Sequence, residues 1–113
     1  MPRPARQMLY ELVLQWPFTG MDDYKHMIAY EDILISRLSR RLARVGGHDT
    51  GSGTMNIFVL TDRPAKAFAE CRALIRSRRI EAGLSAAYFA INSEDRSYVR
   101  LWPLESVEPF LVM

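Results

Sequence analysis

The sequence predicts an α+β domain, an antiparallel sheet with two helices on one face, and three patterns carry that expectation. Tyr10, Leu12, Leu14 and Trp16 alternate with Glu11, Val13 and Gln15, the period of a strand with one fully apolar face. Two later runs, Met27 to Leu42 and Ala67 to Ile75, place apolar residues at helical spacing. Between them the apolar, β-rich run Met55 to Leu60 follows four glycines within eight residues, Gly46 to Gly53.

Taken in order, residues 1–6 hold two prolines and two arginines and read as a loose tail. The first strand starts after Met8 and ends at Pro17. Phe18 to Met21 makes a turn, and Asp22-Asp23 supplies a cap and negative charge where the helix dipole favours it. The helix that follows is the longest element, with Met27, Ile28, Leu34, Ile35, Leu38 and Leu42 on its buried stripe. Arg37, Arg40, Arg41 and Arg44 gather at its C-terminal end, opposite in sign to the dipole there. A short strand at Arg44 to Gly47 leads into a glycine hairpin, and Thr54 to Thr61 returns antiparallel to it.

Asp62 reads as the cap of a second helix with Pro64 near its first position, running to about Arg79. Its buried stripe is Ala67, Phe68, Cys71, Leu74 and Ile75, and Arg72, Arg76, Arg78 and Arg79 form a second basic end. Leu84 to Ile91 is a further strand, Asn92 to Arg96 is turn chemistry, and Tyr98 to Trp102 is the hairpin partner, ended by Pro103. Val107, Phe110, Leu111 and Val112 make the last segment apolar enough to pack. Strand, helix, strand, strand, helix, strand is the order of a ferredoxin-like βαββαβ plait, here with an additional C-terminal edge strand. Right-handed crossovers then set the spatial order fifth, fourth, first, third, second. The whole of 1–113 is expected to form one domain.

Composition bounds the function classes. A chain 49% hydrophobic and 25% charged is expected to be soluble and globular. A net charge of +2 is too small to point to nucleic acid or an acidic membrane. Cys71 is the only cysteine, which excludes an intramolecular disulfide and a multi-cysteine zinc site within one chain. No stretch approaches the roughly eighteen apolar residues of a membrane span. Glu11 interrupts the apolar run behind the basic start, so the expected location is the cytoplasm.

Two surfaces carry candidate chemistry. At one end of the sheet the topology gathers Asp22, His48, Asp49, Ser52 and Arg79 into a candidate ligand-binding cluster around the glycine hairpin, where amides and arginine can hold an anion. The segment lacks a phosphate-loop lysine and opens a strand instead of a helix. His48 and Asp49 are the candidate catalytic residues, since a carboxylate beside imidazole can orient it. Neighbours on a strand point to opposite faces, however, so the partner of His48 has to come from elsewhere, with Asp22 and Asp23 the nearest choices. A metal would need His26 and His48 to converge with Asp22, Asp23 or Asp49; two histidines without motif spacing do not make that pattern, and neither metal nor cofactor is expected.

The second surface is the sheet face opposite the helices, where Tyr88, Tyr98, Arg100 and Trp102 can join Glu11, Val13 and Gln15. Arginine interleaved with aromatic rings is how base-stacking sheets bind single-stranded nucleic acid. The aromatic pattern of those sheets is absent from Met55 to Thr61, and an apolar face of this kind more often pairs with a protein.

The run Gly47-His48-Asp49-Thr50-Gly51-Ser52-Gly53-Thr54-Met55-Asn56-Ile57-Phe58-Val59-Leu60-Thr61-Asp62-Arg63-Pro64 resembles a segment shared by small bacterial proteins of about this length. In size and architecture these are similar to the small α+β immunity proteins of bacterial toxin systems. The resemblance implies a partner-binding protein and carries no catalytic residue to this chain.

The expected function is therefore a non-catalytic interaction domain that acts through its open sheet face or edge strand, as a homodimer or on a protein partner, with Tyr88, Tyr98, Arg100 and Trp102 as anchors. An enzyme or anion-binding site at the Gly46 to Gly53 hairpin is the alternative, and single-stranded nucleic-acid binding a second one.

Overall fold

A computed structural model describes residues 8–76, 83–94, 97–104 and 109–112. The chain forms β1 (Tyr10–Pro17), α1 (Met21–Arg37), β2 (Ala43–Gly51), β3 (Thr54–Thr61), α2 (Pro64–Ile75), β4 (Ser85–Ala90) and β5 (Val99–Trp102). All strand pairs are antiparallel, and the five strands lie in the order β2-β3-β1-β4-β5. Read from the other edge this is fifth, fourth, first, third, second. The fold is α+β: an open antiparallel sheet with two helices.

The alternation of β1 divides the sheet into two unlike faces. Leu12, Leu14 and Trp16 join Met27, Tyr30 and Leu34 of α1 and Ala67, Phe68, Cys71 and Ile75 of α2 in one continuous core. Both helices therefore cover the same face, and the near-parallel stacking of Trp16 on Tyr30, 15° between planes, locks α1 against β1. Val13 points the other way, where it packs with Ala87 and Phe110, flanked by Phe58, Tyr98 and Val112. The C-terminal segment thus lies over the centre of the helix-free face. That face is partly covered, not open as the sequence pattern alone implies.

Local differences from expectation have local causes. The glycine segment is mostly strand: β2 extends to Gly51, and the turn is only Ser52-Gly53, both at positive φ (49° and 81°). A two-residue turn with two positive φ angles matches the twist of the flanking strands, so the ladder closes tightly and takes the preceding glycines into it. Gly46 is instead the extra residue of a β-bulge, because Val45 pairs with Val59 and Gly47 already with Phe58.

The two helix starts also depart from expectation. Asp23 does not cap α1 by a side-chain bond; it accepts hydrogen bonds from the amide and hydroxyl of Thr19 in the turn before it. At α2 the Arg63 amide donates to the Thr61 hydroxyl at 3.0 Å, while that hydroxyl donates to the Leu42 carbonyl at 2.8 Å. The α2 N-cap is Arg63, with no side-chain cap bond, so the cap expected from Asp62 is not made; fully buried Thr61 fixes the turn that leads into the helix. Ile35, expected in the core, is 58% exposed because the α1 stripe turns away from the sheet at that point. The last residues of the expected second helix, to Arg79, lie outside the described residues beyond 76.

Candidate functional site

His48 sits on β2 opposite Ile57, whose row continues to Leu14, so its side chain is on the helix-covered face. There its Nδ1 lies 2.9 Å from both carboxylate oxygens of Glu31 on α1. Glu31 is one of the few buried charged side chains, 8% exposed. The edge of the Tyr24 ring meets the imidazole at 6.1 Å between centroids. Helical spacing explains the grouping: Tyr24, Met27 and Glu31 lie three and four residues apart on α1 and share a face. The sequence foresaw that His48 needs a partner from another element and named Asp22 or Asp23; the partner is Glu31, which periodicity assigns to no particular role.

Asp49 points to the opposite face. Its Oδ1 accepts from Asn56 Nδ2 at 2.8 Å, Gln15 Nε2 donates to Asn56 Oδ1 at 2.9 Å, and the same Gln15 nitrogen donates to the Leu111 carbonyl at 2.8 Å. These side chains occupy one rung across β2, β3 and β1, so the register itself builds the ladder. Asn56 is fully buried and bonded through both ends of its amide, which removes the cost of burying it. The ladder ties the edge strand to the C-terminal segment.

The expected ligand cluster is thus separated. His48 and Asp49 lie on opposite faces, Asp22 is exposed at the start of α1, Ser52 is exposed in the hairpin turn, and Arg79 lies outside the described residues. The β1 end and the hairpin do meet, through a 2.9 Å bond from the Phe18 amide to the Gly53 carbonyl. Among the described residues no group of three or more His, Cys, Asp and Glu side chains converges as a metal site. Hydrogen bonds from the Thr19 hydroxyl and then its amide hold the Asp23 carboxyl below its ordinary range. Burial pushes the Cys71 thiol up to about 12, so it stays protonated and unreactive in the core.

The expected partner anchors are divided as well. Tyr88 pairs with Leu12 and Trp102 with Ala86, which places both on the helix side. Tyr88 meets Tyr10 edge to face at 5.6 Å, and the Arg72 guanidinium lies 3.8 Å above the Trp102 ring. Tyr98 and Arg100 are on the other side with the C-terminal segment: Tyr98 contacts Phe89 and Phe110, and Arg100 lies over the Phe110 ring at 5.6 Å. The four residues are split between the two faces of the sheet and form no single exposed surface.

What sequence reasoning passed over is the β2 edge. It is nine residues long and, among the described residues, hydrogen-bonded along one side only. Arg44, Gly46, His48, Asp49 and Thr50 are exposed along it. A groove of about 350 Å³ runs beside its first half, with Leu34, Ile35 and Leu38 for a floor and Arg40 and Arg44 on the rim. Another, of about 410 Å³, lies at the start of α2 between Tyr10, Tyr88 and Lys66. Neither groove includes Asp22, His48, Asp49 or Ser52. Reading the glycines as a loop hid this edge; the signal was the alternating Val45, His48 and Thr50 pattern once one residue is set aside as a bulge.

Comparison of the chain with protein-family models, with curated proteins and with solved structures found no match.

Proposed function

We propose that this protein is a non-catalytic interaction domain and that its binding surface is the β2 edge with the groove beside it. The observation that carries this reading is the length and exposure of β2. A nine-residue edge strand offers unpaired backbone amides and carbonyls to another strand; sheets normally blunt such an edge with charged side chains, proline, a bulge or a covering element, and of these β2 has Arg44, Asp49 and the Gly46 bulge. β2 contains neither lysine nor proline. Strand addition at such an edge draws affinity from the main chain and specificity from adjoining pockets. The groove floored by Leu34, Ile35 and Leu38 would serve as that pocket.

The finer fold reading, a ferredoxin-like plait with an added edge strand, belongs to the same proposal and is supported by the order of elements and the shared helix face. So do an immunity-type partner binder of bacterial origin, which rests on the Gly47 to Pro64 segment, and a cytoplasmic location, which rests on Glu11 interrupting the apolar run near the start.

Gly46→Lys tests the reading. A side chain at Gly46 meets only ordinary contacts, the nearest with Leu60 Cγ at 3.6 Å, and the position carries no positive-φ requirement. The variant should keep its melting temperature and lose a protein that the wild type captures from host lysate at both low and high salt. Equal capture by the two proteins would refute the edge as the binding surface.

A second reading has its own observation. The bidentate contact of Glu31 with Nδ1 orients His48 and turns the other side of a 31% exposed imidazole toward solvent, the arrangement of a positioned general base. In that reading phosphate-like ligands raise the melting temperature of the wild type and leave that of His48→Ala unchanged.

A further inference from the structure

The β2 edge is symmetric in a way its sequence hides. Its rungs with β3 run Ala43, Arg44, Val45, Gly47, His48, Asp49, Thr50, Gly51, with Gly46 bulged out. Counted from Gly47, Val45 and His48 are one rung away on either side and share the helix face; Arg44 and Asp49 are two rungs away and share the other. The bulge makes this possible. In a regular strand, residues five apart lie on opposite faces.

We propose that this edge pairs with β2 of a second copy of the chain, antiparallel about a two-fold axis at the Gly47 rung. The inference rests on the reading of β2 as the binding edge and names its occupant. The axis sets Arg44 of each copy opposite Asp49 of the other on one face, and Val45 opposite His48 on the other. Within one chain the same Arg44 and Asp49 are four rungs apart, about 13 Å, and do not meet. Arg44 is exposed and forms no ion pair among the described residues. Asp49 is exposed and engages Asn56 through one oxygen. The two central glycines carry no side chain to hold the strands apart. The pairing also brings the hairpin end of one copy alongside Ala43 of the other, next to the groove floored by Leu38. Charge complementarity thus selects a two-fold partner: the basic end of one edge meets the acidic end of its copy.

The test is molecular mass by light scattering over a wide concentration range, for wild type, Arg44→Asp, Asp49→Arg, the double exchange and Gly46→Lys, with melting curves to confirm folding. Wild type should rise from 13.0 kDa toward twice that mass. Each single exchange sets like charges opposite each other and should weaken dimerisation at least tenfold, the double exchange should restore it, and Gly46→Lys should abolish it. A wild type that stays monomeric at every concentration overturns the second copy as occupant. If Gly46→Lys still loses a captured partner in that case, the edge reading itself survives. A dimer indifferent to both Gly46→Lys and the charge exchange overturns both.

Discussion

The two edges of the sheet differ in length and in what packs on their faces. β5 is four residues long, its register shifts against β4, and Pro103 ends it. Arg72 stacks on Trp102 from the helix side, and Tyr98 and Arg100 engage Phe110 from the other. β2 is more than twice as long, and its chief contacts beyond its own ladder are His48 with Glu31 and Asp49 with Asn56. Large aromatic and arginine side chains are thus spent on packing the two faces of a short edge strand within the chain, while the longer edge is built of small and polar residues and presents more unpaired backbone.

The largest effect is expected at β5. Trp102→Ala removes the ring that fills the space between Arg72 and the core, and it should cost about 3 kcal/mol in urea unfolding. A loss under about 0.5 kcal/mol would mean that β5 is not anchored to the core by this contact. Next comes the tether of the open edge. His48→Ala leaves the Glu31 carboxylate buried without its partner and should cost about 1 to 3 kcal/mol, with His48→Gln recovering part of it.

Cys71 sharpens the picture from inside α2, beside Arg72. It should resist thiol reagents in the native protein at neutral pH and react fully in denaturant, and Trp102→Ala should speed native labelling. Its pH effect has a definite sign. The folded chain keeps the thiol proton up to about 12, whereas the unfolded chain releases it near pH ~8.5. The contribution is whole below that lower value and is lost as pH rises through the window, so Cys71→Ser should flatten the alkaline limb of a stability profile. The smallest expected effect is Gly46→Lys, within about 0.5 kcal/mol of wild type, because it adds charge to an exposed strand without strain.

The framework was legible because periodicity reports burial directly. The alternation from Tyr10 to Trp16 and the stripes through Leu34 and Cys71 point to the layer where the structure places them, and the apolar C-terminal segment packs, through Phe110, on a face the sequence did not name. The site was less legible, for physical reasons. Four glycines in eight residues look like a loop unless the chain is known to pair with Thr54 to Thr61, and pairing is a tertiary property. The bulge at Gly46 reverses the facing of every residue before it relative to every residue after it, so Arg44 and Asp49 cannot be seen to share a face from the sequence alone. Glu31 was invisible for a similar reason: a carboxylate on an amphipathic helix reads as solvated until an imidazole is found above it. The aromatic residues Tyr88 and Trp102 were assigned to the wrong face because β4 and β5 alternate only roughly.

Backbone hydrogen exchange resolved along the chain, compared between the isolated and the associated protein, tests the central claim most directly. The amides of Ala43–Gly51 that face away from β3 should exchange fast in isolation and become protected on association, while Val99–Trp102 is unchanged. Protection that appears at Val99–Trp102, or association that leaves Ala43–Gly51 exchanging as before, would contradict it.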